Sequence, residues 1–138
     1  MKWIMQIFMG LQVFFYRMSG GKMGGKMGAG NILLLESVGR KSGKARTNPV
    51  MYVRDGGSYV VIASAGGGPT NPGWYYNLKA VKYTTIQVMS EKLQVSVEEA
   101  DPERRKRIWA QVVSAMPQFK DYESRTTRTI PVLILTPR

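Results

Sequence analysis

The spacing of hydrophobic positions changes along the chain, and each change marks an element. Residues 1–18 (MKWIMQIFMGLQVFFYRM) are apolar except for Lys2, Gln6, Gly10, Gln12 and Arg17, a density that predicts a helix. The run is shorter than the roughly 20 apolar residues of a bilayer span and is interrupted. Ser19-Gly20-Gly21 matches the cleavage site of a secretory signal only loosely. Such a helix either packs on the rest of the chain or a partner subunit, or lies at a membrane surface. In the second case Trp3 and the Phe residues enter lipid, and Lys2, Arg17, Lys22 and Lys26 meet phosphates. Residues 19–31 (SGGKMGGKMGAGN) repeat Gly-Lys-Met-Gly and predict a linker or mobile flap without regular structure, because glycine loses the most backbone entropy on ordering.

From residue 32 the pattern becomes short β-rich runs over 32–38, 47–54 and 59–65. They are separated by Gly39-Arg40-Lys41-Ser42-Gly43-Lys44 and by Asp55-Gly56-Gly57, which are hairpin spacings. After Gly66-Gly67-Gly68-Pro69 a short helix is expected over 72–80, with proline at its start. A second hairpin follows, 83–89 with 93–97, turning about Ser90-Glu91-Lys92. Asp101, Pro102 and Glu103 supply an N-cap, an N1 proline and a first-turn acid, so a helix runs to about residue 116 with Ile108, Val112 and Ala115 or Met116 on one face. The run 130–136 (IPVLILT) is apolar on both faces and suits a central strand. Six short strands with appended helices predict a mostly β (α+β) fold, an antiparallel barrel over 32–138, and 138 residues suit one such domain.

Composition narrows the chemistry more than the architecture. Hydrophobic residues at 43% and charged residues at 21% are ordinary for a chain that buries a core. Twenty Lys and Arg against nine Asp and Glu give +11, which favours anionic partners: phosphate, polycarboxylate, nucleic acid or an acidic membrane. The absence of Cys and His excludes thiolate nucleophiles, serine–histidine triads, Cys/His zinc sites and ordinary haem ligation. Only Glu36 and Asp55 precede position 90, so a carboxylate pair or magnesium cage would have to draw on the C-terminal acids, and no metal is expected.

Between residues 40 and 82, Arg40, Lys41, Lys44, Arg46, Arg54, Lys79 and Lys82 face the single acid Asp55. The loop 39–44 combines glycines that free backbone N–H groups, a hydroxyl and cationic side chains, an anion cradle that lacks the spacing of a nucleotide-binding P-loop. In 66–78 (GGGPTNPGWYYNL), Trp74, Asn77 and Leu78 share one side of a short helix, and Trp74 could wall a planar heterocycle as well as pack the core. Arg104, Arg105, Lys106 and Arg107 look like a nucleic-acid tract, yet four consecutive helical residues point around the whole cylinder and read as a solvated face.

The stretch 33–78 strongly resembles the deazaflavin-dependent nitroreductase family, also described as F420H2-dependent quinone reductases. The likeness lies in ordered motifs: GRKSGKAR (39–46) with Asn48-Pro49, then Arg54-Asp55-Gly56-Gly57, Ala63-Ser64, Gly66-Gly67, and Asn71-Pro72 leading into Trp74-Tyr75 and Asn77-Leu78. Pro117, Asp121-Tyr122 and Arg128-Thr129-Ile130-Pro131 are similar to that family as well. The resemblance implies a split β-barrel, FMN-binding-like, that passes a hydride from reduced deazaflavin coenzyme F420 to a quinone, nitro compound or activated alkene. Such chemistry asks for binding and orientation more than for reactive side chains.

Carried over motif by motif, the resemblance puts Arg40, Lys41, Ser42 and Arg46 at the phosphate and oligoglutamate tail. It puts Asn48, Pro49, Val50 and Met51 along the ring system, Ile62, Ala63, Ser64 and Ala65 as backbone partners of the deazaflavin, and Gly73, Trp74, Tyr75 and Asn77 on the other side. Ser64 and Tyr122 are the candidate proton donors or acceptor anchors, beside water. Met51, Met116, Phe119 and Tyr122 are the candidate acceptor contacts. Met51, Met116 and Phe119 stand where nitroreductase members tend to carry tyrosine, and Arg125 where they tend to carry tryptophan, which weighs against bulky nitro-heterocycles.

The rival readings are an FMN-dependent oxidoreductase on the same barrel and a basic nucleic-acid-binding module. No nucleic-acid motif accompanies the basic runs, so no nucleic acid is expected. The expected partners are a small acceptor such as a quinone, an anionic membrane surface through residues 1–26, and a second copy of the chain. The expected location is the cytoplasm, with the inner face of the cell membrane as a peripheral site.

Overall fold

A computed structural model describes residues 2–22, 26–27 and 30–138, without the side chains of Lys2, Trp3, Met5, Gln6, Lys26 and Met27. The lipid-facing role of Trp3, the phosphate contacts of Lys2 and Lys26, and much of the Gly-Lys-Met-Gly repeat therefore lie outside the described residues. The elements are α1 (Lys2–Ser19), β1 (Lys26–Met27), β2 (Gly30–Val38), β3 (Ala45–Asp55), β4 (Ser58–Ile62), a 3-10 turn (Ala65–Gly67), α2 (Gly73–Lys79), β5 (Tyr83–Val88), β6 (Glu91–Glu99), α3 (Pro102–Ala115), α4 (Gln118–Ser124) and β7 (Val132–Pro137). The sheet order is β1-β2-β3-β4-β7-β6-β5, antiparallel throughout, and β5 returns to β2 at Leu34↔Gln87 and Leu35↔Ile86. Six strands thus close into a split barrel, which removes the open edges of a flat sheet.

Strand alternation sorts the apolar residues into an interior and two outer layers. Leu33 and Leu35 of β2 point inward with Val50, Val61, Ile86, Val95, Leu133 and Leu135. Ile32 and Leu34 point outward beneath Tyr16 of α1. Val60, Ile62, Val132 and Ile134 point outward against Ile108, Trp109, Val112, Met116 and Phe119 of the α3–α4 region. Strands buried on both faces read as unbroken apolar runs, which is why 32–35 and 132–135 show no polar alternation.

Helix α3 starts where its caps predict: Asp101 Oδ1 accepts from Arg104 N–H at 2.9 Å and Pro102 opens the helix. Its buried face is Ile108, Trp109, Val112 and then Met116, while Ala115 is exposed. Three of the four basic residues at 104–107 on α3 bond to the fold, and Lys106 is exposed. Arg107 makes two 3.1 Å bonds to the Asp55 carboxylate, Arg104 also reaches it, and Arg105 Nε donates to Ile130 O at 2.9 Å.

Tyr16, fully buried, docks α1: its hydroxyl donates to Gln87 O at 3.2 Å and accepts from Met89 N–H at 2.7 Å. The opposite arc of α1 leaves Ile7, Phe8, Leu11, Phe14, Phe15 and Met18 exposed. Among the described residues no helix is long and apolar enough to cross a membrane.

Several expectations are corrected. The segment 19–31 is not without regular structure, since β1 pairs with the start of β2 at Lys26↔Asn31 and Met27↔Gly30. Its glycines end α1 instead: a Cβ on Gly21 (φ +85°) would sit 2.7 Å from Met89 Cα. The second hairpin turns at Met89-Ser90, because Val88 pairs with Glu91 and Met89 takes φ +55° with its N–H held by Tyr16. The run 59–65 leaves the sheet after Ile62, since Ala65 adopts φ +47° and opens the 3-10 turn. Helix α4 was not expected; Phe119 and Tyr122 alone give it too little apolar periodicity.

Candidate active site

The β2–β3 turn is built to aim cations outward. Gly39 N–H donates to Lys44 O and Gly43 N–H to Gly39 O, both at 2.8 Å, and Ser42 Oγ accepts from Lys44 N–H at 3.2 Å. A Cβ on Gly39 would fall 2.5 Å from Ser42 Oγ, so a side chain there would push the Ser42 hydroxyl out of its place in the turn. Asn77, buried on α2, locks the turn to the barrel by accepting from Arg40 N–H at 3.0 Å and donating to Ser37 Oγ at 3.2 Å. The Arg40 guanidinium lies 4.8 Å from the Tyr76 ring centroid. Among the described residues Lys41, Lys44 and Arg46 enter no ion pair, so their charge is free for a ligand.

Arg40, Lys41 and Arg46, but not Lys44, border a cleft of about 670 Å³. Arg40, Lys41, Ser42 and Arg46 line its basic side, Asn48 and Pro49 of β3 its floor, and Ala65, Gly73, Trp74 and Asn77 the facing wall. Gly39, Pro72 and Met9 also line it and were missed by the sequence reading. The first two lie inside the motifs GRKSGKAR (39–46) and Asn71-Pro72, though no binding role was assigned to them. Met9 has no local signal, since only docking of α1 brings it here. A groove of about 570 Å³ between α1 and β3 shares Met9, Arg46 and Asn48 with the cleft and adds Gly10, Val13 and Thr47.

Other expected site residues do not line the cleft. Val50 points into the barrel, and Ile62 and Ala63 are buried. Ser64 is nearly buried beside Ala65, and its hydroxyl makes no capping bond to the 3-10 turn. Met51 is half-buried between the two outer layers, with Gln118 Nε2 at 3.8 Å from its sulfur. Tyr75 is half-buried against the barrel core and does not line the cleft; its hydroxyl donates to Glu99 Oε1 at 2.6 Å and Lys79 reaches the same oxygen at 3.0 Å. Burial and that bond push the Tyr75 phenol up to about 12. Burial alone would raise the Glu99 carboxyl, but the bonds from Tyr75 and Lys79 hold it below its ordinary range.

The expected acceptor contacts need correction at two positions. Met116 and Phe119 are only 2% and 3% exposed and pack with Trp109 and Ile130, so they brace α4 from behind instead of meeting a ligand. Tyr122 is half-buried, edge-to-face on Phe119 at 5.1 Å between centroids, with the Arg125 guanidinium 5.7 Å from its ring centroid. Its backbone presses on Gly67, where a Cβ would come 2.8 Å from Tyr122 O, so α4 packs directly against the turn that carries Ala65.

A closed antiparallel barrel with a basic, tryptophan-walled cleft, whose lining among the described residues carries no carboxylate, imidazole or thiol, defines a class: a binding site for an anionic cofactor that brings its own reactivity. A family model described as F420H(2)-dependent quinone reductase matches residues 8–137. An F420H(2)-dependent quinone reductase of Mycobacterium tuberculosis is 40% identical over 129 residues, covering 89% of this chain and 85% of the relative. Among solved structures, an F420-H2 dependent reductase, FDR-A, superposes with TM-score 0.68 at 38% identity, over 75% of this chain and 92% of that one. Another, described as a domain-swapped dimer, gives TM-score 0.69 at 38% identity, over 75% of this chain and 78% of that one. The chain belongs to the F420H2-dependent quinone reductase family and is an oxidoreductase.

Proposed function

We propose that the cleft holds reduced deazaflavin coenzyme F420 and that the chain passes its hydride to a quinone, with small nitro compounds and activated alkenes as further acceptors. The observation that carries this reading is the pairing of unneutralised Lys41 and Arg46 at one side of the cleft with Trp74 and the Ala65 turn at the other. An anionic tail and a flat ring need those two surfaces at once. When bound, the deazaflavin supplies the hydride; this chain binds, orients and screens. Arg40, Lys41, Ser42 and Arg46 hold the charged tail, Asn48 and Pro49 border the ring, and Trp74 excludes water from one side of it. Ser64, next to the cleft-lining Ala65, and Tyr122 of α4 are the two candidate side-chain proton donors to a quinol oxygen, beside water.

The test is titration of tryptophan fluorescence with deazaflavin, FMN and NADPH in parallel, followed by menadione addition to the reduced deazaflavin complex. Selective quenching by deazaflavin and reoxidation by menadione are expected. Tight binding of FMN alone would return the chain to the flavin-dependent alternative.

The outer arc of α1 supports a finer placement, peripheral on an anionic membrane. Its six exposed apolar side chains lie along one side of the helix, with Lys22 just beyond its end; Arg17, expected at phosphates, turns instead to the barrel, where it donates to Thr47 Oγ1 at 3.1 Å and pairs with Glu36 at 3.5 Å. Such an anchor would bring the cleft to quinones dissolved in lipid. The full chain should float with anionic liposomes at low salt, and a chain beginning at Asn31 should not. If the full chain does not float but forms dimers that the shortened one cannot, a second copy covers the arc instead.

A further inference from the structure

Arg128, between α4 and β7, gathers a loop distant from it in sequence. Its Nε donates to Gly68 O at 3.0 Å, Nη1 to Ala63 O at 3.2 Å and Asn71 Oδ1 at 2.6 Å, and Nη2 to Ser64 O at 2.7 Å. Among the described residues no carboxylate lies within ion-pair distance of this half-buried guanidinium. Carbonyl and amide dipoles alone balance its charge, an arrangement that concentrates a positive field on the peptide units it touches. Those units include the bonds 63–64 and 64–65, which are trans. With the Ala63 and Ser64 carbonyls turned toward the guanidinium, the N–H groups of Ser64 and Ala65 point the opposite way. Among the described residues neither N–H is taken up by a backbone acceptor. Ala65 is held at φ +47°, a conformation alanine rarely adopts, and it lines the cleft.

We propose that Arg128 is a positioning residue for the cofactor ring: it clamps the 63–71 loop in its strained shape and turns the polarised N–H groups of Ser64 and Ala65 toward a carbonyl or anionic edge of the bound heterocycle. This rests on the placement of the deazaflavin in the cleft. A cation behind the loop supplies electrostatic stabilisation without touching the ligand, as preorganised amides do elsewhere.

The test measures affinity for two probes, the full F420 cofactor and its deazaflavin core lacking phosphate and tail, by fluorescence quenching in Arg128→Lys, Arg128→Gln and Asn71→Asp proteins, with melting temperatures of the ligand-free forms. Core affinity should fall in the order Arg, Lys, Gln, by about ten-fold at Gln, with the same factor for the tailed cofactor. Asn71→Asp keeps a partner for Nη1 but neutralises the guanidinium, so it should weaken core binding several-fold while melting at or above wild type. A merely structural Arg128 would leave Asn71→Asp binding unchanged, and that result overturns the inference even if the Arg128 variants fail to fold. Folded Arg128 variants within two-fold of wild type, or a loss confined to the tailed cofactor, would overturn it as well. If the wild-type protein binds neither probe, the functional assignment falls and this inference with it.

Discussion

Replacing Lys41 and Arg46 together by alanine removes two cations that border the cleft and have no ion-pair partner among the described residues. A charge-assisted hydrogen bond is worth about 1.5 to 3 kcal/mol. Both side chains are exposed, so solvent screening reduces each to roughly half. The pair then contributes about 1.5 to 3 kcal/mol, a loss of about ten- to a hundred-fold in affinity for the tailed cofactor. Since no ion pair breaks, the melting temperature should stay near wild type. Fluorescence titration at low and at high salt, with tailed cofactor and tail-less core side by side, separates charge from shape: the loss should shrink with salt and be absent for the core. An affinity for the tailed cofactor within two-fold of wild type at low salt would refute the assignment of this turn as the tail site.

The remaining expectations follow from single contacts. Tyr16→Phe leaves Met89 N–H without its acceptor under α1, costing about 1 to 3 kcal/mol and lowering the melting temperature; unchanged melting would show that α1 is not docked through this bond. The Asp55 carboxyl is held below its ordinary value of 3.8, first by its bonds from Arg107 and then by Arg104. Its share of stability is therefore complete above about pH 4 and lost as pH falls through the lowered value, so Asp55→Asn should flatten the acid limb of a stability–pH curve. Tyr75→Phe should remove a phenol that ionises near pH 12 from an alkaline absorbance titration. Because Tyr75 faces Glu99 and not the cleft, deazaflavin affinity should stay within two-fold, and a larger loss would put its ring back at the ligand.

Local chemistry fixed in advance much of what is found. Glycine pairs at 56–57 and the cap at Asp101-Pro102 set their elements within a residue or two of the observed bounds, because turn and cap preferences act over a few neighbouring residues. Ordered motifs from 39 to 77 marked ten residues that now line one cleft, since the turn holding Arg40 and the helix holding Trp74 are each built from contiguous sequence. Tertiary structure alone decided what depends on distant partners. Trp74 and Tyr75 are adjacent on one helix, yet barrel packing turns the first to the cleft and the second to Glu99. Met116 and Phe119 follow the same apolar pattern whether they meet a ligand or a core, and only the docking of α4 buries them. Arg128 stands in a family-like motif at 128–131, yet no local signal gives it a role until the chain returns across more than fifty residues to the loop groups it holds. Spacing in sequence encodes periodicity and turns, whereas closure of β5 on β2 and the choice of which face meets which neighbour emerge only when all the strands are packed together.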